Sequence, residues 1–133
     1  MSGTTIIAEL LLADAEFLEL VPAAGIKEDL LPDGAPLNLL LLRSVSLVDR
    51  QPLKQGPLVH SVERVAVTVR AKSLRDRKAV IARVRTVCAR RAGDLSGCFR
   101  VSILTAGLGP SVIGPAGSFE RTQDFRVSFD APA

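Results

Sequence analysis

Aromatic and metal-binding side chains are scarce in this sequence of 133 residues. It contains no Trp and no Tyr, one His, one Met, two Cys and five Phe. Surfaces that bind single-stranded nucleic acid by base stacking, or partners through aromatic anchors, need side chains that are rare or absent here. One His and two Cys leave little for metal or proton chemistry. The composition therefore argues against many classes of enzyme without naming a function.

Long apolar runs and export signals are also missing. The most apolar run, residues 37–42, is far shorter than the roughly 18 residues that span a membrane. The N-terminus has no basic region of the kind that begins a secretory signal, and it carries Glu9 early. Cys88 and Cys98 have neither metal-ligand spacing nor a CxxC arrangement. We therefore predict a cytoplasmic chain with two reduced, mostly buried thiols, no membrane contact and no cofactor.

The residues that are present have the pattern of a folded α+β protein. Hydrophobic residues make up 47% and charged residues 23%, which excludes wholesale disorder. Apolar periodicity predicts helices at about residues 4–20 and 73–92, and strands at about residues 37–48, 58–71, 97–104 and 118–130. Thr4 or Thr5 is expected to cap the first helix. Ser73 begins a capping box for the second, and Gly93 is placed to end it.

This order, α-β-β-α-β-β, predicts a four-stranded, mostly antiparallel sheet with both helices packed on one face. Val65, Val67 and Val69 alternate with other residues and mark the clearest strand. No internal repeat is visible, so we expect one domain over residues 1–133. Pro and Gly predict long loops near residues 22–36, 50–57 and 106–117, with a short extended piece within residues 26–30.

Charge is unevenly distributed along the chain. The net charge of +3 combines −4 over residues 1–62, +8 over residues 63–100 and −1 over residues 101–133. The second helix is strongly basic. Its cations have three interpretations: a solvated face, a contact with the acidic region of another copy, or a contact with nucleic-acid phosphates. They are Arg75, Arg77, Lys78, Arg83, Arg85, Arg90 and Arg91.

No group of residues forms a recognisable catalytic arrangement. His60 has Ser61 and Glu63 as sequence neighbours, but adjacent residues on a strand point to opposite faces. The glycines at residues 107–109 resemble a phosphate loop only weakly, because Pro110 follows and no helix begins there. We predict that the protein is not an enzyme and holds no metal.

The Pro- and Gly-rich segment at residues 106–117 is long and apolar for a hairpin loop. It is either a flexible excursion or an arm that buries apolar side chains against a partner. Together with the basic helix, it supplies our candidate contact residues. These are Arg75, Arg77, Arg83, Arg85, Arg90, Leu108, Val112 and Ile113.

The sequence resembles the tail-completion, or tail terminator, proteins of long-tailed phages and prophages. The resemblance runs in order along nearly the whole chain. It comprises residues 10–14 (LLLAD) of the first helix, residues 31–36 (LPDGAP) before an apolar strand, residues 64–71 (RVAVTVRA) before a helix, and residues 124–127 (DFRV) of the closing strand. Arg70 departs from the family, which often has an aromatic residue near the end of the central strand.

This resemblance implies a structural virion protein with no catalytic role. It implies a hexameric ring that caps the tail tube, stops tube polymerisation and joins the tail to the head connector. The implied partners are other copies of the chain, the tube protein and the connector protein, with nucleic acid only as the genome passing through the ring. The implied location is the virion tail, assembled in the bacterial cytoplasm. The alternative function is a nucleic-acid-binding domain that uses the basic helix at residues 73–92.

Overall fold

A computed structural model describes residues 2–29, 36–50, 53, 56–95 and 97–132. It contains three α-helices: α1 (Gly3–Leu12), α2 (Ala15–Leu20) and α3 (Leu74–Cys88). Seven strands form one mixed sheet: β1 (Ile26–Glu28), β2 (Leu39–Arg50), β3 (Leu58–Ala71), β4 (Ala92–Leu95), β5 (Cys98–Leu108), β6 (Val112–Ile113) and β7 (Phe119–Pro132). The spatial order is β1-β2-β3-β7-β5-β4, and β6 pairs with β7. Among these described strands, β1 and β2 pair in parallel and the other pairs are antiparallel.

The prediction of a four-stranded sheet with two helices is wrong, although helices and strands combine in an α+β arrangement. The four predicted strands are β2, β3, β5 and β7. Three further strands of two to four residues, β1, β4 and β6, lie on the margins of this framework. Segments this short carry too few side chains to show a period of two, so the sequence pattern did not reveal β4 and β6.

The first predicted helix is two helices because Asp14 begins a new one. The carboxylate of Asp14 accepts a hydrogen bond from the backbone N–H of Phe17 at 2.9 Å, as an N-cap residue does. Ser2, rather than Thr4 or Thr5, caps α1 by accepting from the N–H of Thr5. After the break, α2 contacts both α1 and α3.

The end of α3 also differs from the prediction. The cap at Ser73 is confirmed, because its hydroxyl accepts from the N–H of Asp76 at 3.1 Å. The helix stops at Cys88, several residues early. Arg90, with φ of 62°, takes the left-handed conformation that was expected of Gly93, and Gly93 lies in β4.

Strands β3 and β7 form the centre of the sheet, paired antiparallel from Leu58 opposite Pro132 to Ala71 opposite Phe119. The predicted strand at residues 58–71 is confirmed. Side chains of one parity from these strands are buried beneath the helices, together with apolar residues of β2 and β5. This core contains Ile6, Ile7, Leu11, Phe17, Leu40, Leu42, Val65, Val67, Val69, Val80, Val84, Ile103, Phe125 and Val127.

The predicted loops have three different outcomes. The extended piece within residues 26–30 is confirmed as β1, whereas residues 30–35, including most of the LPDGAP motif, lie outside the described residues. Half of the loop at residues 50–57 also lies outside them. The segment at residues 106–117 is more regular than expected: β5 continues to Leu108, and Val112 and Ile113 form β6 against β7.

Candidate functional site: the two flanks of helix α3

The apolar stripe of α3 fixes where its charged side chains lie. Val80, Val84 and Cys88 face the sheet and are buried, and α3 contacts β3, β5 and β7. Packing of that stripe leaves an outer ridge that includes Ala82 and Thr86, which are exposed. Charged residues lie on either side of the ridge. The helix therefore has two flanks with different neighbours.

The basic flank consists of Arg77, Lys78, Arg85 and Arg121. These four cations line an open cleft of about 400 Å³ between α3 and β7. The guanidinium of Arg85 donates to the side-chain carbonyl of Gln123 at 3.1 Å, and that of Arg121 donates to the backbone carbonyl of Gly109 at 2.7 Å. Both acceptors are neutral. Within the described residues, no ion pair includes any of the four cations.

The acidic flank consists of Asp14, Glu16 and Glu19 and lies on the other side of the ridge. Arg83 points to this side and donates to both carboxylate oxygens of Asp14 at 2.7 Å. It also lies 3.0 Å from Glu16. The hydrogen bonds from Arg83 lower the pKa of Asp14, and the same contact raises the pKa of Arg83. Glu19 is exposed beside them, along the groove that Ala79, Ala82 and Thr86 line.

The structure separates the predicted basic contact residues. Arg77 and Arg85 share the basic flank, whereas Arg83 is held by carboxylates of its own chain. Arg75 is exposed in the first turn of α3 and does not line the cleft. Arg90 follows the end of the helix, and its backbone N–H donates to the carbonyl of Ile103 at 2.8 Å. Five arginines that looked equivalent in sequence therefore have four different environments.

The predicted apolar contact residues divide in the same way. Val112 and Ile113 are 49% and 66% exposed on β6, at the edge of the sheet. Leu108 is half-buried and packs against the core. Val112 and Ile113 thus have accessible apolar surface, whereas Leu108 contributes to the fold.

Two surface features were missed by the sequence interpretation. The first is Arg121, which lies on the same side of β7 as Phe125 and Val127, the side that faces the helices. A cation on the buried side of a predicted strand is the signal that could have revealed the cleft. The second feature is the distal half of β2. Every residue from 43 to 50 is exposed, and Val48 is 65% exposed, because the described helices do not cover this part of the sheet.

The residues considered for catalysis have other partners. His60 Nδ1 lies 2.7 Å from Asp130 Oδ1, and Asp130 also pairs with Arg100 at 3.0 Å. Ser61 points to the opposite face of β3 and donates to Asp49. The side chains of His60 and Ser61 therefore have separate partners and are not arranged as a base and a nucleophile. The arrangement of His60 and Asp130 is a cross-strand hydrogen bond near the end of the sheet.

Neither cysteine forms a disulfide in the described part of the chain. Cys88 and Cys98 are free and buried, as predicted, and burial raises the pKa of Cys88 to about 12. In the described ranges, no cluster of three His, Cys, Asp or Glu side chains is arranged to hold a metal ion. No helix in that part of the chain has the length and apolar character needed to cross a bilayer.

Comparison with known proteins identifies a similar fold. No protein-family model matches the chain, and no curated protein matches it. Among solved structures, the chain is similar to one from the virion of a native gene transfer agent particle. The two share 15% sequence identity with a TM-score of 0.76, and the similarity covers 98% of this chain and 96% of the other. The likeness over nearly the full length of both chains shows a shared fold.

Proposed function

We propose that this chain is a structural virion protein of a phage or phage-derived particle, and that it acts as a ring-forming tail terminator. The observation that carries the proposal is the fold likeness to a chain of a gene transfer agent virion, over nearly the whole of both chains. The ordered resemblance to tail terminators in the sequence points to the same class of protein independently. In this role residues 1–133 work as one domain, without catalysis and without a cofactor.

The role requires self-assembly into a ring, which we propose is a hexamer. A closed ring of identical subunits uses heterologous contacts, in which two different surfaces of the protomer meet. Opposite charges on the two surfaces favour such a contact and disfavour contact of either surface with itself. The basic and acidic flanks of α3 supply surfaces of this kind. Exposed apolar residues on β6 and on the distal half of β2 provide further surface for the tube protein or the head connector.

Deletion of the gene in the organism that produces the particles tests the proposed role. Without a terminator, tube polymerisation has no stop, so we expect tails of irregular and excessive length that lack heads. Electron microscopy of the released particles measures both features. Supplying the wild-type chain in trans should restore uniform tails joined to heads. Tails of normal length with heads attached, in the deletion strain, would contradict the proposal.

The basic flank also favours one alternative, a domain that binds nucleic acid through α3. Its cations lack carboxylate partners among the described residues, as phosphate-contacting residues often do. The acidic flank argues against this alternative, because it would repel a polyanion lying across the helix. Binding to a short DNA duplex should fall steeply with salt if the alternative holds. Absence of binding at low salt excludes it.

A further inference from the structure

We propose that the cleft between α3 and β7 is a carboxylate-binding socket, and that Glu19 of a second copy of this chain occupies it. This inference rests on the proposed function, since it names the surfaces that meet in the ring. It assigns one partner and one contact to the basic flank. Three observations within the described part of the chain support it: a buried cation without an acceptor, a cleft without negative charge, and an exposed carboxylate on the opposite flank.

The buried cation is Arg77. Arg77 is only 4% exposed, and its Nε has no hydrogen-bond acceptor within the described residues. Removing a guanidinium from water is costly unless an anion or several acceptors replace the lost hydration. Arg77 nevertheless lines the cleft rather than the apolar core. A carboxylate that enters the cleft would lie against the guanidinium of Arg77 and replace part of its lost hydration.

The surroundings of Arg77 favour an anion. Lys78, Arg85 and Arg121 line the same cleft, and among the residues that the structure describes no Asp or Glu lines it. The neutral groups that Arg85 and Arg121 contact, an amide and a backbone carbonyl, orient the guanidinium groups without neutralising them. Arginine forks bind carboxylates through two parallel hydrogen bonds. The cleft is therefore arranged for a planar anion.

A second copy of this chain is a better occupant than a nucleic acid. The chain has a net charge of only +3, and the acidic flank lies just across the ridge of α3. An extended polyanion would meet both flanks, whereas a single carboxylate meets only the socket. The absence of Trp and Tyr also removes the usual stacking surface for single strands.

Glu19 is the carboxylate that best suits the socket. Asp14 and Glu16 are engaged by Arg83 in their own chain. Glu19 is exposed and takes part in no ion pair within the described residues. It lies on the acidic flank, so insertion into the socket of a neighbour joins two different surfaces of the protomer. Each copy then presents one socket and one insert, as repeated contacts in a ring require.

A charge swap on the full chain tests the contact. Arg85→Glu and Glu19→Arg should each weaken self-association by about tenfold or more, because each places two like charges together. The double variant restores one opposite pair between copies and should recover part of the lost affinity, because Arg77, Lys78 and Arg121 still line the cleft. Sedimentation velocity over a range of protein concentrations at low salt measures the association. Circular dichroism checks that each variant folds.

Arg75→Glu is the matched control, since it makes the same charge change on α3 outside the cleft. We expect at most a small effect from it. Equal weakening by Arg75→Glu and Arg85→Glu, or no recovery in the double variant, would overturn the socket. A wild-type chain that stays monomeric at high concentration would overturn it as well. The cleft would instead be assigned to nucleic acid by a different result. In that result, a DNA duplex binds the wild type but not Arg85→Glu, and Arg85→Glu leaves self-association unchanged.

These outcomes are separate from the test of the tail terminator role. If the wild type associates but the swaps have no effect, the socket fails while the proposed function stands. If the deletion strain makes normal tails, the proposed function fails whatever the swaps do. A further readout is inorganic phosphate, which should weaken self-association of the wild type more than chloride does at equal ionic strength. Equal effects of the two salts would count against an anion socket.

Discussion

Arg83 and Arg85 are two positions apart on α3, yet Arg83 lies among carboxylates and Arg85 beside a neutral amide. Arg83 donates two hydrogen bonds of 2.7 Å to Asp14 and lies 3.0 Å from Glu16. Arg85 contacts the neutral side chain of Gln123 at 3.1 Å. Residues two apart on a helix are separated by about 200°, so they face different neighbours. The difference shows that one basic helix uses some of its arginines to stabilise the fold, as Arg83 does, and leaves others, such as Arg85, available for contact with a partner.

The neighbouring elements, rather than the helix itself, create this difference. The acidic flank exists because α1 ends at Leu12 and Asp14 begins α2, which brings three carboxylates beside α3. The basic flank exists because β7 places Arg121 across from α3. Changes in either neighbour should therefore alter one flank more than the other. The four predictions that follow test this separation.

The largest effect is expected from Phe17→Ala, which removes the anchor of the acidic flank. Phe17 is fully buried and is the one buried residue of α2. Its truncation leaves a cavity and should lower the free energy of unfolding by about 3–5 kcal/mol. Urea denaturation followed by circular dichroism measures the loss. Leu18→Ala, at a half-buried neighbouring position, is the control and should cost about 1 kcal/mol. Similar losses in the two variants would show that α2 is not anchored through Phe17.

A smaller effect separates the two arginines. Arg83→Ala removes the partner of Asp14 and should lower the melting temperature. Arg85→Ala removes a single hydrogen bond to the neutral side chain of Gln123, which is buried, and should lower the free energy of unfolding by a smaller amount, about 1 kcal/mol. The two variants delete the same side chain from the same helix, so each is the control for the other. Equal losses in thermal denaturation would contradict the assignment of Arg83 to the fold.

The pH dependence of the Arg83 effect follows from the lowered pKa of Asp14. The pKa in the folded chain lies below the ordinary value of 3.8, so the stabilisation is fully present above that value. It is lost as the pH falls through the lowered pKa, because the protonated carboxyl no longer attracts Arg83. The stability difference between the wild type and Arg83→Ala should therefore shrink as the pH is lowered below about 4. A difference that stays constant in acid would show that Asp14 is not its source.

The sequence predicted the parts of the fold that have strong periodicity. The strand at residues 58–71 and the cap at Ser73 were predicted correctly because alternation and capping chemistry are local. The split of the first helix was missed, although Asp14 followed by Phe17 permits a new cap, because the apolar stripe continues through the break. The strands β4 and β6 were missed because their pairing depends on β5 and β7 rather than on their own residues.

The site was predictable only in part, for a related reason. The sequence located the excess of positive charge on one helix, but it could not divide that charge between flanks. That division depends on which residues of distant segments lie opposite, such as Asp14 beside Arg83 and Arg121 beside α3. The parity of β7 contained the one usable signal, since Arg121 and Gln123 interrupt the apolar face. A polar residue on the buried parity of a strand marks a place to search for a site.

No loss of stability is expected from Arg77→Met. Arg77 is buried without an acceptor for its Nε, so an apolar side chain of similar length removes a desolvation cost and leaves no partner behind. The free energy of unfolding should stay the same or rise by about 1 kcal/mol at most. Lys78→Met, at an exposed neighbouring position of the same cleft, is the control.

The two variants should then differ in their response to phosphate, compared with chloride at equal ionic strength. Phosphate should raise the melting temperature of the wild type and of Lys78→Met, and it should raise that of Arg77→Met less, because the deepest cation of the cleft is gone. A marked loss of stability in Arg77→Met would mean that the guanidinium has an acceptor that supports the fold. In that case Arg77 would resemble Arg83, and the two flanks of α3 would differ less than their neighbours indicate.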